Sequence, residues 1–179
     1  MRTNPMAHQQ QTETEQQAFD RIAVIGFGLV GASFAAAVRE TRPETEVLAV
    51  DVDARTLDEA LGRGWATEAA MPGDPVFRRF VETDCDLVLI ATPVSVAEGY
   101  FQALADWGYA GIVTDSASTK ARIVEMAERI LPHPENYVPG HPMAGSEKNG
   151  IDGARPDLFK GAHWILCPVC RGKTRTQIR

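Results

Sequence analysis

Residues 21–31, RIAVIGFGLVG, carry the pattern that decides the fold. The four consecutive apolar residues 22–25 are typical of a buried strand, and the alanine-rich stretch after the glycines favours a helix. Gly26 permits the tight bend, Gly28 lets a pyrophosphate approach the backbone, and Gly31 lets the helix pack closely on the strand. This stretch therefore predicts a strand–turn–helix unit that binds a dinucleotide, the alternative being a glycine turn without a ligand.

A second apolar run, residues 47–50, ends in Asp51, at the distance where an acidic residue binds a ribose 2′-hydroxyl, about 20 residues beyond the glycines. Arg55 follows in the next predicted helix, where it is either a solvated helix residue or a contact for a 2′-phosphate. Because the carboxylate of Asp51 would repel that phosphate, NAD is favoured over NADP. The cofactor-binding candidates here are Asp51 and the loop residues Gly26, Phe27, Gly28, Leu29, Val30 and Gly31.

Further apolar runs alternate with helical patterns along the chain. Strands are predicted at residues 22–25, 46–51, 86–91, 111–115 and 162–167. Helices are predicted at residues 32–39, 54–63, 76–81 and 94–107, and in a segment whose buried face is Ile123, Met126, Ala127 and Ile130. Residues 141–153 are predicted to form a polar loop. The alternation predicts an α/β fold of Rossmann type, a doubly wound, mostly parallel sheet with helices on both faces.

Three more candidates for cofactor binding stand at predicted strand ends. Thr92 and Pro93 follow the strand at 86–91 and are typical of a helix start, with Thr92 as the N-cap and Pro93 at the first helical position. Asp115 ends the strand at 111–115. Ligands bind outside the carboxyl ends of the strands in open α/β sheets, so we expect all three residues to face the cofactor.

The composition is typical of a soluble globular protein. The 179 residues suffice for one well-cored domain, and a formal net charge of −6 argues against a nucleic-acid surface. No apolar run approaches the ~20 residues that cross a membrane, and the N-terminus lacks the apolar core of a secretory signal. Glutamine-rich residues 1–20 are predicted to be a disordered polar tail, and residues 169–179 a short basic tail.

The three cysteines do not form a disulfide framework, which together with the missing signal predicts a cytoplasmic location. Cys167 and Cys170 make a single CxxC pattern, with His163 just upstream. A zinc site normally needs a further ligand, and a redox pair would sit near a helix N-terminus. Because neither context is visible, no metal is predicted.

Two polar clusters, DSASTK at 115–120 and HPMAGSEK at 141–148, are predicted to open onto the edge of the sheet where the dinucleotide lies. His141 could act as a base at neutral pH, since an unperturbed histidine has a pKa of ~6.5, or it could cap a loop. Ser118 could hydrogen-bond a reacting oxygen, or it could cap the next helix. Lys148 could neutralise an acidic substrate, although a loop lysine is usually solvated.

With these clusters the chain resembles the prephenate and arogenate dehydrogenases of tyrosine biosynthesis. The matching motifs are the GxGLxG loop at 26–31, the acidic Asp51, the DxxSxK stretch at 115–120, the GHPMAGSEKxG block at 140–150 and the region 158–166. The resemblance covers roughly residues 21–168, and the 140–150 block is far more specific than the glycine loop.

The resemblance implies an NAD-dependent oxidative decarboxylation of prephenate or arogenate to 4-hydroxyphenylpyruvate or tyrosine. By the same resemblance, His141 takes or polarises the proton of the carbinol and Ser118 hydrogen-bonds this centre. Ser146 and Glu147 match positions that line the substrate pocket, beside Lys148. By the resemblance, family members continue into an all-helical domain that forms a homodimer and supplies an arginine for the substrate carboxylate, and this chain is expected to lack that domain.

Two alternatives stay open at this point. One is a dinucleotide-binding module that does not catalyse, because its partner domain is absent. The other is a different Rossmann reductase, acting on a small acid or an imine, which would leave the block at 140–150 without a purpose. The choice between prephenate and arogenate is also open.

Overall fold

The structure, a computed structural model, describes residues 19–145 and 147–167. Its helices are α1 (Leu29–Thr41), α2 (Ala54–Gly62), α3 (Pro75–Glu82), α4 (Val94–Asp106) and α5 (Ala121–Ile130). Its strands are β1 (Arg21–Ile25), β2 (Glu46–Val50), β3 (Glu68–Ala70), β4 (Leu87–Ile90), β5 (Ile112–Asp115), β6 (Tyr137–Val138), β7 (Gly140–Pro142) and β8 (Trp164–Leu166). The basic tail, Ser146, Cys170 and most of the predicted N-terminal tail lie outside the described residues.

Six parallel strands form the main sheet in the order β3-β2-β1-β4-β5-β6. The chain runs outward from β1 through β2 to β3, and then crosses back to continue from β4 through β5 to β6. This is the doubly wound arrangement that the sequence predicts, and its order reverses between β1 and β4, where such sheets bind ligands. Strand β3 was not predicted, because its three residues include no run of large apolar side chains.

Helices cover both faces of the sheet, as predicted. On one face α1 and α2 pack on alternate residues of β1, β2 and β4, with Phe27 and Ala32 among the buried residues. On the other face α3, α4 and α5 bury a larger set that includes Phe77, Phe101 and Ile123. Ile123, Met126 and Ala127 of α5 are buried, and Ile130 is partly buried, so the predicted face of this helix is confirmed.

The predicted polar loop at 141–153 is wrong in part, because its first residues belong to a strand. Strand β7 pairs antiparallel with β8 in a separate two-stranded sheet, with His141 opposite Ile165. Pro139, which has no N–H to donate, separates β7 from β6, and its carbonyl accepts a hydrogen bond from Cys167 N at 2.8 Å. A 3₁₀ turn, Ile151–Gly153, interrupts the rest of the loop.

The start of α4 and the end of the N-terminal tail also differ from their predicted positions. Pro93, rather than Thr92, is the N-cap of α4, because its ψ of 141° is extended and the helix begins only at Val94. Asp20, expected in the N-terminal tail, joins the fold by donating its N–H to Asp86 Oδ2 at 2.8 Å. Within the described residues, no helix is long and apolar enough to span a membrane.

Candidate active site

The glycine loop between β1 and α1 is positioned by backbone contacts. Gly26 has a φ of +88°, and its N–H donates to Val50 O at 2.8 Å. A Cβ on Gly26 would lie 2.8 Å from the main chain of Ala91, and one on Gly31 would lie 2.0 Å from Gly26 O. A Cβ on Gly28 would meet no atom within 4 Å. Gly26 and Gly31 are therefore required by the fold itself, whereas Gly28 faces open space.

Asp51 joins the end of β2 to this loop. Its Oδ2 accepts from Phe27 N at 2.7 Å and its Oδ1 accepts from Asp53 N at 3.0 Å. The side chain of Phe27 is fully buried, so only its backbone belongs to the open side of the loop. Asp51 is partly buried, and so are Gly28, Leu29 and Val30, which leaves part of each residue exposed to solvent.

The start of α1 suits an anion. Gly28 is its N-cap and makes no side-chain cap, and the first turn holds no acidic residue. The first backbone N–H groups of a helix and the positive end of its dipole attract phosphate. The loop therefore combines open space above Gly28 with a favourable potential for a pyrophosphate.

Single apolar residues that the sequence analysis did not select surround this edge. Val52, Met71 and Val96 follow or lie just beyond the ends of β2, β3 and β4, and they are 71%, 45% and 50% exposed. Tyr100 lines an adjoining cavity of about 350 Å³, and burial, followed by the nearby charge of Asp51, raises the pKa of its hydroxyl. In the sequence, Val52 could have been selected as an apolar residue just beyond a predicted strand, whereas Met71 follows a strand that was not predicted and Val96 and Tyr100 lie within α4.

The first of the two predicted polar clusters, at 115–120, is built around the fully buried carboxylate of Asp115. Its Oδ2 accepts from Tyr137 OH at 2.6 Å and from Gly140 N at 3.4 Å, and its Oδ1 accepts from Ala117 N at 2.8 Å. Lys120 Nζ donates both to this carboxylate and to Gly140 O. The ion pair therefore ties the start of α5 to the residue that precedes His141.

Asp115 is consequently enclosed by the fold. Its side chain has no exposed surface and makes all of its contacts within the fold, so its assignment to cofactor binding stays a prediction. Burial and the Asp115 carboxylate raise the pKa of Tyr137 far above 10.0, so that the phenol stays protonated and keeps donating. A strand-end aspartate looks the same in sequence whether it turns toward a ligand or into the fold.

His141 lies on β7 beside this network, and its ring is partly buried. Its Nδ1 is buried and has no hydrogen-bond partner within the described part of the chain. Thr92 Oγ1, just beyond the end of β4, is likewise buried and has no hydrogen-bond partner among the described residues. The methyl group of Thr92 lies 2.8 Å from the position that a Cβ on Gly26 would take. Because buried polar atoms in folded proteins are nearly always satisfied, both atoms indicate a missing partner at this edge.

The remaining candidates lie on exposed backbone. Ser118 is exposed in the connection from β5 to α5, and the N-cap of α5 is Lys120 without a side-chain cap, so neither Ser118 nor Ser116 caps this helix. Glu147 and Lys148 are exposed, and Ser146 lies outside the described residues. The structure thus brings Asp115, Lys120 and His141 together through Gly140, and it leaves the roles of Ser118, Ser146, Glu147 and Lys148 as predictions.

Comparison with known proteins fits this arrangement. The profile of the family described as prephenate dehydrogenase, nucleotide-binding domain, matches residues 34–178. The chain belongs to this family. Membership confirms the resemblance to this family, and the matched residues include the block at 140–150.

Individual members of the family are similar over most of this chain. The prephenate dehydrogenase of Bacillus subtilis is 34% identical over 154 residues, which cover 85% of this chain and 40% of that protein. The prephenate dehydrogenase of A. aeolicus, solved with hydroxyphenyl propionate and NAD+, superposes with a TM-score of 0.76 at 25% identity, covering 87% of this chain and 53% of that one. For the arogenate dehydrogenase of Synechocystis the TM-score is 0.71 at 30% identity, covering 83% and 50%. The chain thus spans about half the length of these family members or less.

Among the described residues, no group of three or more His, Cys, Asp or Glu side chains is arranged to hold a metal ion. Of the predicted CxxC pair, Cys167 is exposed and Cys170 is outside the described residues. The interpretation of that pair stays a prediction.

Proposed function

We propose that this chain is the nucleotide-binding part of an NAD-dependent dehydrogenase that oxidatively decarboxylates prephenate or arogenate. The observation that carries the proposal is the unpartnered, buried Nδ1 of His141, at the same edge of the sheet as the open glycine loop. Alcohol oxidation needs a proton acceptor beside a hydride acceptor, and this edge supplies a place for each.

NAD fits the residues at the switch point of the sheet. Gly28 leaves room for the pyrophosphate, the start of α1 supplies backbone donors, and Asp51 offers a carboxylate for a ribose hydroxyl. Thr92 Oγ1 is a further unpartnered group for the bound cofactor. When bound, NAD supplies the hydride acceptor of the reaction.

His141 holds the proton in the proposed reaction. Loss of hydride from the ring carbon that bears the hydroxyl leaves an oxygen that must shed its proton, and a neutral imidazole accepts it. Carbon dioxide then leaves the opposite ring carbon, its bonding electrons complete the aromatic ring, and the ring oxygen regains a proton from the imidazolium to give the 4-hydroxyl group. Ser118, for which the family resemblance is the support, would hydrogen-bond the reacting oxygen, with Ser146, Glu147 and Lys148 nearby in the chain.

The ion pair of Asp115 and Lys120 acts on this reaction through the backbone. Lys120 donates to Gly140 O and Asp115 accepts from Gly140 N, so both fix the strand that carries His141. We regard them as positioning residues, because neither contact involves the imidazole.

The direct test is the appearance of reduced nicotinamide when the purified chain is mixed with NAD and prephenate, and separately with NAD and arogenate. The proposal predicts a rate that depends on one of these substrates and saturates with it. Saturable reduction of NAD by a small 2-hydroxy acid, or saturable oxidation of NADH by an imine, with no rate for either ring substrate, would contradict it.

A second candidate is a dinucleotide-binding module without turnover, since the open space at Gly28 and the start of α1 support nucleotide binding without any contribution from His141. It predicts that the chain binds NAD and produces no reduced nicotinamide. A cytoplasmic location stays a prediction from the cysteines and the missing signal, and a homodimer formed through a further helical domain stays a prediction of the resemblance.

A further inference from the structure

Arg55 lies beside the expected ribose site. It is the second residue of α2, four residues beyond Asp51, and its N–H donates to the capping carboxylate of Asp53 at 3.1 Å. Its side chain is 72% exposed, so solvent and any bound ligand can reach the guanidinium. A free arginine here would be suited to a 2′-phosphate, because the guanidinium binds phosphate through two parallel hydrogen bonds.

The guanidinium of Arg55 is, however, already engaged by carboxylates. Its Nη2 lies 3.3 and 3.4 Å from the two oxygens of Asp152 and 3.7 Å from Glu59 Oε2. Asp152 is 97 residues away in the sequence, so its ion pair with Arg55 is a tertiary contact. Glu59 and Asp152 also pair with Arg63, the latter at 3.9 Å, so two carboxylates balance two guanidinium groups and Arg55 offers a phosphate no uncompensated charge.

The turn that carries Asp152 is itself anchored. Ile151 is 4% exposed within the layer of α1 and α2, and its carbonyl accepts from Arg63 Nη1 at 3.2 Å. Just beyond the turn, Arg155 N donates to the buried Ser33 Oγ of α1 at 3.0 Å. The backbone of Asp152 is thus fixed to the layer that holds the glycine loop, and its carboxylate stays close to Arg55.

We propose that Asp152 helps to set the cofactor preference by holding Arg55 in an ion pair, away from a 2′-phosphate. Asp51 is then one barrier to NADP and the Asp152–Arg55 pair is a second. The inference rests on the proposed dinucleotide function and names a specificity-determining residue for it. Removing Asp51 alone leaves Arg55 neutralised, so both barriers must be removed before the arginine can attract the additional phosphate.

The test compares the affinities of the chain for NAD and NADP by calorimetry in Asp51→Ser, Asp152→Asn and the double variant. We expect the double variant to bind NADP about three- to fivefold more tightly than Asp51→Ser does, the range that an exposed ion pair can supply. We expect Asp152→Asn to change NAD affinity less than about twofold, because NAD presents no 2′-phosphate to Arg55. Thermal unfolding of each variant checks that its fold is intact.

Two controls separate the ion pair from a general change of charge. Asp157→Asn removes the same charge from a similarly exposed pair, in which Arg155 Nη1 lies 3.3 Å from the carboxylate. In the Asp51→Ser background it should leave NADP affinity unchanged. Adding Arg55→Gln to the double variant should abolish the gain in NADP affinity.

A gain that Asp157→Asn reproduces, or that persists with Arg55→Gln, would overturn the inference, as would an NADP affinity equal in Asp51→Ser and the double variant. If the wild-type chain binds NAD and Asp152 shows no coupling to Arg55, this inference alone fails. If the wild-type chain binds neither nucleotide, the proposed function fails with it.

Discussion

The glycine loop after β1 and the polar cluster after β5 meet at one edge of the sheet, but they are held in place by different forces. The loop depends on the close approach of backbone atoms, since a Cβ on Gly31 would lie 2.0 Å from Gly26 O. The cluster depends on the buried pair of Asp115 and Lys120. The loop should therefore be sensitive to added volume, and the cluster to lost charge.

The largest expected effect is that of Gly31→Ala. The added methyl group would overlap a backbone oxygen that cannot move without shifting β1 or α1, so we expect a loss of about 3 kcal/mol or more in the free energy of unfolding. Denaturant titration measures this loss. Gly28→Ala is the matched control, because its Cβ meets nothing within 4 Å.

We expect Gly28→Ala to lose only about 1 kcal/mol or less in the free energy of unfolding, because alanine is a poorer N-cap than glycine but its Cβ meets no atom here. Its affinity for NAD should still fall, because the methyl group occupies the space that the pyrophosphate needs. Similar stability losses in the two alanine variants would contradict the division of roles within the loop.

The next effect is that of Lys120→Met, which removes charge while keeping the length of the side chain. Asp115 is fully buried, so its carboxylate would lose a charged partner that water cannot replace. We expect a loss of about 3 kcal/mol in the free energy of unfolding, measured by denaturant titration.

Arg129→Met is the control for the loss of a basic side chain. Its pair with Glu98 joins α4 to α5 with both side chains at least half exposed, and such pairs contribute about 1 kcal/mol or less. If the two methionine variants lose equal stability, the Asp115–Lys120 pair is no more important than a surface contact.

A smaller effect is expected from Tyr137→Phe, which removes one donor from Asp115 and should cost about 1–2 kcal/mol at neutral pH. The pH dependence gives a second readout. Because the pKa of Tyr137 is raised above 10.0 in the folded state, only the unfolded state releases this proton as the pH rises past 10.

The wild type should therefore lose stability above about pH 10, and Tyr137→Phe should lose less over the same range. Unfolding titrations at pH 9 and 11 measure the difference. Parallel pH profiles would show that Tyr137 ionises as readily in the folded state as in the unfolded state.

The two regions also differ in how well sequence alone predicts them. The loop, Asp51 and the alternation of elements are set by local patterns, and the structure places each as expected. Strand β7 was missed because its partner β8 lies more than 20 residues away in the chain. The burial of Asp115 was missed for the same reason, since Tyr137 and Gly140 follow it by 22 and 25 residues.

The prediction that Thr92 is the N-cap of α4 was wrong by one residue. A threonine followed by proline favours an N-cap, but the extended ψ of Pro93 delays α4 by one residue and leaves the hydroxyl of Thr92 buried and unpartnered. Sequence patterns could not show this, because it depends on how the end of β4 packs against Gly26.

The most direct test of the proposed division between cofactor binding and proton transfer is His141→Asn, with NAD affinity and prephenate-dependent NAD reduction measured on the same sample. His163→Asn, a change in a second and exposed histidine, is the control. We predict that His141→Asn abolishes turnover while NAD affinity stays within about twofold of the wild type, because no part of the glycine loop is changed. Retained turnover, or an equal loss of NAD binding and turnover, would contradict the role assigned to His141.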